Sequence, residues 1–344
     1  MKMKKKLLFV TGVFIFSLFL LNHRIFENEI KNASAITIKE EAPLVLQTSV
    51  NDQDSKFRKT RVLKLKALCQ VEGKVKIQWQ KKDLAAFYEV YRSYKKDGNY
   101  KKIATTNKNY LKDKKAKKRK WVYYKVKAIS KGEDKYESKF SKILSLYVKP
   151  KNPKIVVMGE CYVEGLALLS SSFPKGTAFV SKVGISSWGL ISDASFLYQN
   201  KKITAAERAA KYKPDRVYLF EGMNEAYGAA VDNTTANFGE VLRILKAANP
   251  QVELVVVALP PFSPNSSLNV PSLSKRKEYN KGYKAFCKKN DNAYYCDITD
   301  GLANAKGYLS GKYDAGDGCH WNYNANVLVI SKLKEWSKDK LASW

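Results

Sequence analysis

The hydrophobic period of the chain changes once, and that change limits what it can fold into. Up to Val148 apolar and polar residues alternate, as in Val75-Lys76-Ile77-Gln78-Trp79. Beyond Pro153 apolar residues come in short unbroken runs separated by helix-like stretches. Between them stands Lys149-Pro150-Lys151-Asn152-Pro153, whose prolines disfavour helix before each and stiffen the join. Two folding units of different class are therefore expected. A chain of 344 residues has room for two domains of ~150 residues each.

Segment 59–149 is expected to be all β. Val62–Leu68, Val75–Trp79, Phe87–Arg92, Trp121–Ala128 and Ile143–Val148 are strand-like, with Glu72-Gly73, Asp97-Gly98 and Lys131-Gly132 as turn signals. Short strands at this spacing read as a β-sandwich. Segment 150–344 is expected to be a layered α/β domain with a parallel sheet. Lys154–Gly159, Val217–Phe220, Val252–Leu259 and Ala293–Asp297 read as buried parallel strands. Phe238–Leu245, Arg276–Lys289 and Val327–Leu341 are the helical stretches alternating with them.

The charge is unevenly placed. The chain carries 62 Lys and Arg against 32 Asp and Glu, a formal net charge of +30. Residues 36–150 hold 31 basic and 12 acidic side chains, so the β segment and the stretch before it supply +19. Residues 151–344 contribute only +7. A run from Lys112 to Lys120 has seven basic residues of nine and fits a loop. It reads either as a solvated loop or as an electrostatic foot on an anionic surface. With 45% hydrophobic and 12% aromatic residues, a mainly disordered chain is excluded.

Residues 1–35 read as a signal peptide or membrane anchor. Lys2, Lys4, Lys5 and Lys6 precede an apolar run from Leu7 to Leu21, and Ala33-Ser34-Ala35 is a cleavage-like pattern. Residues 36–58 read as a linker. Either export reading leaves the bulk outside the membrane. The expectation is a secreted or membrane-anchored protein at the cell surface of a Gram-positive-type bacterium. In that compartment the basic sandwich meets an anionic cell-wall polymer or a membrane surface, and no nucleic acid is expected. Five cysteines, Cys69, Cys161, Cys287, Cys296 and Cys319, are too few and too odd in number for a disulfide scaffold. With two histidines and no Cys-x-x-Cys pair, a zinc site is not expected, and no metal or organic cofactor is implied.

In a parallel sheet, ligands bind beyond the carboxyl ends of the strands. Three such places carry chemistry: Gly159-Glu160-Cys161-Tyr162-Val163-Glu164-Gly165, Gly222-Met223-Asn224-Glu225, and Asp317-Gly318-Cys319-His320. They offer a thiol at a strand-to-helix turn, an amide side chain at a second strand end, and an Asp and a His three residues apart. Together these are a nucleophile, an oxyanion donor, and a base with its orienting carboxylate. Each has a plainer reading: Cys161 as a small buried residue, Asn224 as a turn former, His320 as a structural histidine. Cys319 reads as core, and a Cys161–Cys319 bridge that silences the site is conceivable.

Two resemblances follow from these residues. The pieces KVKIQWQ, FYEVYRS, DGNYKKIA and WVYYKVKAIS resemble a bacterial fibronectin type III domain, with Trp79 and Tyr124 as core fillers. The blocks GECYVEG, GMNE and DGCHWN, in this order, resemble those of the SGNH (GDSL-like) hydrolases. That resemblance implies a three-layer flavodoxin-like domain over 150–344. It implies Cys161, Asp317 and His320 as a catalytic triad, with Cys standing where the family has Ser. It implies an oxyanion hole from the Cys161 N–H, the Asn224 side chain and one backbone N–H of the second block, for which Gly184, Ser187 and Gly189 compete. Glu160 and Glu225 stand where the family has Asp. Gly222, Trp188 and Trp321 are the expected substrate-binding residues, the tryptophans as sugar platforms or as core.

The implied activity is ester hydrolysis or acyl transfer on an acylated cell-envelope or extracellular carbohydrate. The thiol pKa of ~8.5 is expected to fall beside a protonated His or a helix N-terminus. The alternative is a non-catalytic carbohydrate- or wall-binding protein with a degenerate site.

Overall fold

The structure, a computed structural model, describes residues 44–341 and Trp344. The segment read as signal or anchor lies outside the described residues. Residues 44–59 form helix α1 (Leu44–Lys59), in a unit separate from Thr60–Trp344. No helix among the described residues is long and apolar enough to cross a membrane.

The alternating segment folds as two antiparallel sheets. One orders β1 (Lys66–Cys69), β2 (Val75–Gln78) and β5 (Tyr110–Asp113); the other orders β4 (Lys101–Thr106), β3 (Ala85–Ser93), β6 (Trp121–Ser130) and β7 (Leu144–Tyr147). Inward positions of β2 and β6 are fully buried at Val75, Ile77, Val122, Tyr124 and Val126. Trp79 is buried and meets Tyr88 edge-on at 5.4 Å, joining the two sheets. A buried polar clasp crosses between them as well. Tyr124 Oη donates to Asp113 Oδ2 at 2.7 Å, and Arg92 Nη1 donates to both Asp113 oxygens at 2.8 and 2.9 Å. This all-β architecture is consistent with a fibronectin type III-like domain.

The basic run does not lie wholly in a loop. Lys112 and Asp113 close β5, and only 114–120 connect β5 to β6. Arg119 leaves the run to bind the next domain, with Nε and Nη2 on the Asp215 carboxylate at 2.9 and 2.5 Å. Lys149 Nζ lies 2.6 Å from Glu253 Oε1, and Glu253 Oε2 in turn holds the buried Arg216 guanidinium at 2.8 Å. The sandwich is thus keyed to the second domain by ion pairs at the amino ends of its strands.

The second domain has a five-stranded parallel sheet in the order β14 (Ala293–Cys296), β13 (Glu253–Val257), β12 (Arg216–Phe220), β8 (Ile155–Gly159), β9 (Ala178–Ser181). All residues of β8, β12 and β13 are buried, as a sheet covered on both faces requires. A small hairpin of β10 (Phe196–Tyr198) and β11 (Lys201–Ile203) stands apart from it. Helices α2 (Cys161–Ala167) and α7 (Tyr323–Leu341) pack together, and α3 (Gly189–Ser192), α4 (Ala205–Lys211), α5 (Val231–Ala248) and α6 (Leu273–Lys289) form a second group. Local chemistry fixes their ends. Thr204 and Glu207 make a reciprocal capping box on α4, and the Ser272 hydroxyl accepts the Lys275 N–H at the start of α6. Numbered within the domain, the strand order is 2-1-3-4-5, the flavodoxin-like winding. Its reversal falls between β8 and β12, where a binding crevice is expected.

Two glycines allow the ends of β8 and β12 to meet there. Gly159 has φ +142°, and a Cβ on it would lie 1.8 Å from the Phe220 carbonyl oxygen. Gly222 has φ +123°, and its Cβ would lie 2.2 Å from Tyr283 Oη, which donates to the Glu221 carbonyl at 2.8 Å.

Candidate active site

The three chemical blocks converge on this crevice. Cys161 opens α2 directly after β8, and β12 runs out into the loop that carries Asn224. Asp317 and His320 come from the loop before α7. His320 Nε2 lies 3.2 Å from Cys161 Sγ, and its Nδ1 lies 2.6 Å from Asp317 Oδ2. Asp317 Oδ1 accepts the backbone N–H groups of Cys319 and His320 at 2.9 and 2.8 Å. Partial burial raises the Asp317 pKa, but the hydrogen bonds from His320 and Cys319 together outweigh it and hold the carboxyl below its ordinary value. An ionised Asp317 accepts a hydrogen bond from the Nδ1–H of His320, which turns Nε2 toward the thiol.

The thiol departs from expectation. Burial first, then the Glu160 carboxyl and Cys319, push the Cys161 pKa well above the ordinary thiol value. The N–H groups of Cys161 and Tyr162 at the start of α2 oppose this but do not overcome it. The expected lowering by the helix N-terminus is therefore reversed, because desolvation of a thiolate costs more than one turn of helix returns. The resting pair is a neutral thiol facing an imidazole. The conceivable Cys161–Cys319 bridge is not formed, and both sulfurs are free thiols. Cys319 is fully buried, with its Sγ 2.9 Å from Met223 Sδ and 3.5 Å from Tyr162 Oη.

Donors expected in the oxyanion hole are mostly spent. Asn224 Nδ2 donates to Glu160 Oε2 at 2.7 Å and to the Ile185 carbonyl at 2.8 Å, which uses both its protons. The Ser187 N–H and hydroxyl both donate to Glu225 Oε2, at 3.0 and 2.9 Å. The Gly189 N–H donates to Ser186 Oγ at 3.2 Å. Ser187 and Gly189 are thus anchors of the second-block loop and not its free donors. Gly184, exposed at φ +74°, is the one of the three whose N–H makes no hydrogen bond among the described residues. The loop follows β9, whose Ser181 pairs with Gly159, so it borders the Cys161 turn.

The acidic residues of the motifs act as struts. Glu160 is 1% exposed, and its carboxyl accepts the Met223 N–H at 3.1 Å and the Asn224 N–H at 3.3 Å. Glu225 Oε1 accepts the Thr234 hydroxyl at 2.7 Å, and Asn237 Nδ2 donates to Ser187 Oγ at 2.9 Å. Thr234 and Asn237, both on α5, have no motif to betray them; only the fold brings them to Ser187 and Glu225. Two substrate-binding expectations also fail. Trp321 is 7% exposed and packs on Tyr162 at 4.2 Å, so it is core. Gly222 is buried behind the Asn224 turn and is a packing residue. Trp188, 63% exposed at the head of α3, remains open to a ligand.

Burial pushes the Glu160 pKa up to about 8 against the lowering effect of the Met223 and Asn224 N–H groups, and Glu225 adds repulsion. Glu221, also buried, is raised well above the ordinary carboxyl value for the same first reason. The folded state thus holds protons that the unfolded chain releases above ~4.3. Stability from Glu160 is full below that value and is lost as pH rises toward about 8. Glu160→Gln is expected to flatten the decline of the urea midpoint between ~pH 5 and ~pH 8. An unchanged slope would mean that Glu160 is ionised in the fold.

Residues 164–326 match the family model described as GDSL-like Lipase/Acylhydrolase. The C-terminal domain is a GDSL-like lipase/acylhydrolase domain. The matched stretch of this acylhydrolase domain includes Asn224, Asp317 and His320 and begins three residues after Cys161. Among solved structures, a GDSL-like lipase from Bacteroides thetaiotaomicron is 15% identical, with 55% of this chain and 89% of that one covered at a TM-score of 0.45. A carbohydrate esterase family 3 protein from Talaromyces cellulolyticus is 14% identical, with 55% and 98% covered at 0.40. A Fn3-like protein from Clostridium thermocellum is 26% identical, with 26% and 92% covered at 0.22. No curated protein matches the chain.

Proposed function

We propose that this acylhydrolase domain cleaves or transfers acyl esters of extracellular or cell-envelope carbohydrate, with Cys161 as nucleophile. The observation that carries this reading is the unbroken chain from Cys161 Sγ through His320 to Asp317, at 3.2 and 2.6 Å. His320 Nε2 takes the thiol proton as Sγ bonds to the ester carbonyl carbon. The C–O bond then breaks, and the same proton passes to the leaving alkoxide. A thioester remains. Water or an acceptor alcohol attacks it, His320 takes the attacking proton, and it returns that proton to Sγ. Asp317 keeps the imidazole in the reactive tautomer and balances its charge. The Cys161 and Gly184 N–H groups receive the oxyanion, and Asn224 joins them by exchanging its bond to the Ile185 carbonyl.

The committed donors of Asn224, Ser187 and Gly189 favour a second reading, a binding protein with a degenerate site. Aryl acetate and acetylated-sugar hydrolysis by the full chain separates the two. Cys161→Ala is expected to remove activity, and Cys161→Ser to retain a measurable part of it. Equal slowness of wild type and Cys161→Ala on every ester would remove the catalytic reading. We place the basic sandwich on an anionic wall polymer or membrane surface. The six exposed lysines Lys112, Lys114, Lys115, Lys117, Lys118 and Lys120 support this reading. The full chain is expected to sediment with anionic envelope material at low salt and to be released at ~0.5 M salt; retention at that salt argues against the placement.

A further inference from the structure

One buried cation is used by neither the fold nor the triad. Arg276, in the first turn of α6, is 7% exposed, and its side chain makes no hydrogen bond or ion pair among the described residues. Its Nη1 is wholly buried without a partner. Asp297 acts on it only through space, being itself engaged by the Thr299 hydroxyl and N–H at 2.6 and 3.1 Å. Taking a guanidinium out of water without an acceptor is strongly unfavourable, so such groups are rarely kept without a counter-ion.

Arg276 lines a cleft of about 240 Å³ whose other walls include Ser263, Ser272, Gly307 and Tyr308. Ser272 is the N-cap of α6, a helix of 17 residues, so the positive end of the helix dipole opens on the same cleft. Gly307, at φ +86°, stands beside the guanidinium: a Cβ there would lie 3.7 Å from Arg276 Nη2, in ordinary van der Waals contact. The cleft adjoins the catalytic loop. The Ser263 N–H donates to the Gly318 carbonyl at 2.7 Å, and the Ser266 hydroxyl donates to the Asp317 carbonyl at 2.7 Å. One short segment, 263–266, therefore supports the Asp317–His320 loop and forms a wall of the Arg276 cleft.

We propose that this cleft is a substrate subsite for an anionic group, a carboxylate or phosphate carried on the unit next to the ester that Cys161 attacks. The Arg276 guanidinium pairs with two oxygens of the anion, and the α6 N-terminus and the Tyr308 hydroxyl complete its shell. The ester substrate is then an acylated uronic acid or phosphate-bearing glycan in place of a neutral one. This assignment rests on the ester reading of Cys161, but its test does not need turnover.

Thermal unfolding of the full chain is measured with inorganic phosphate, digalacturonate and neutral xylobiose, against chloride at matched ionic strength. Wild type is expected to gain several degrees with phosphate and digalacturonate and nothing with xylobiose. Arg276→Met is expected to melt no lower than wild type without ligand and to lose both gains, while Arg276→Lys keeps a reduced one. Digalacturonate is also expected to slow carbamidomethylation of Cys161 by iodoacetamide at least fivefold in wild type and not in Arg276→Met. If Arg276→Met misfolds, the phosphate-against-chloride and digalacturonate-against-xylobiose contrasts in wild type still decide. Equal effects of digalacturonate and xylobiose overturn the proposal. So does a phosphate shift without protection of Cys161, which would leave a free-anion site unconnected to the ester. Inactivity of wild type on all esters, with these shifts intact, would remove the ester reading and leave the anion site standing.

Discussion

His320→Ala is expected to lower kcat/KM on an aryl acetate by about 10³- to 10⁴-fold, with the melting temperature little changed. The size of the effect follows from the state of the thiol. An ordinary cysteine is a few per cent thiolate at neutral pH, and burial beside Glu160 and Cys319 takes Cys161 below even that. No preformed thiolate stands ready to attack without the imidazole, so proton removal must accompany bond formation. His320 is half exposed and bonded only to Asp317 and Cys161 through its ring, so its loss leaves no buried group orphaned. The pH profile gives an independent check. Carbamidomethylation of Cys161, followed on its peptide by mass spectrometry, should climb steadily above pH 8. A plateau reached below ~pH 6 would falsify the neutral thiol and indicate a thiolate–imidazolium pair like that of low-pKa cysteines.

Gly159→Ala is expected to prevent folding of the acylhydrolase domain. Its Cβ would sit 1.8 Å from the Phe220 oxygen and 2.7 Å from the Phe220 carbonyl carbon, both backbone atoms of the neighbouring central strand. Neither strand can retreat, because β8 and β12 are paired along their full length and buried on both faces. The backbone at φ +142° also disfavours any side chain. A cost above ~4 kcal/mol is a large part of the ~5–15 kcal/mol that holds a domain together. Loss of near-ultraviolet circular dichroism and of soluble yield reads this out. Gly239→Ala is the control: nothing lies within 4 Å of its Cβ on α5, and it should stabilise by about 0.5–1 kcal/mol. A Gly159→Ala protein that melts with wild type would mean that the two strand ends do not meet as described.

Much of the fold was legible because its signals are local. Runs such as Ile155–Gly159 and Glu253–Val257 are apolar throughout, and only a strand covered on both faces tolerates that. The sequence pattern marks none of β4, β5, β9, β10 and β11 as strands. β4 and β9 are edge strands whose residues are largely half-buried or exposed, and β5 is four residues long, so none writes a clear alternation. At the site, Cys161, Asn224, Asp317 and His320 follow strand ends or form an i, i+3 pair, which sequence spacing records. Oxyanion donors carry no such mark, since a backbone N–H is present at every residue but proline. Whether it is free depends on acceptors such as Glu225, which lies far from Ser187 in sequence.

The sequence by itself marked the change from alternating to unbroken apolar runs near Pro150–Pro153, the seat of the positive charge, and the thiol, imidazole and carboxylate that the fold brings together. These are properties of periodicity and of residue type at strand ends, and they need no long-range contact. Tertiary structure alone decided that Trp321 and Gly222 are packing residues, that Asn224 is tied to Glu160, and that the Cys161 thiol is held neutral. It alone buried Arg276 Nη1 away from any hydrogen-bond partner among the described residues. Each of these depends on what a side chain meets from another part of the chain, because burial and hydrogen-bond supply set protonation and availability, and neither is encoded in local spacing.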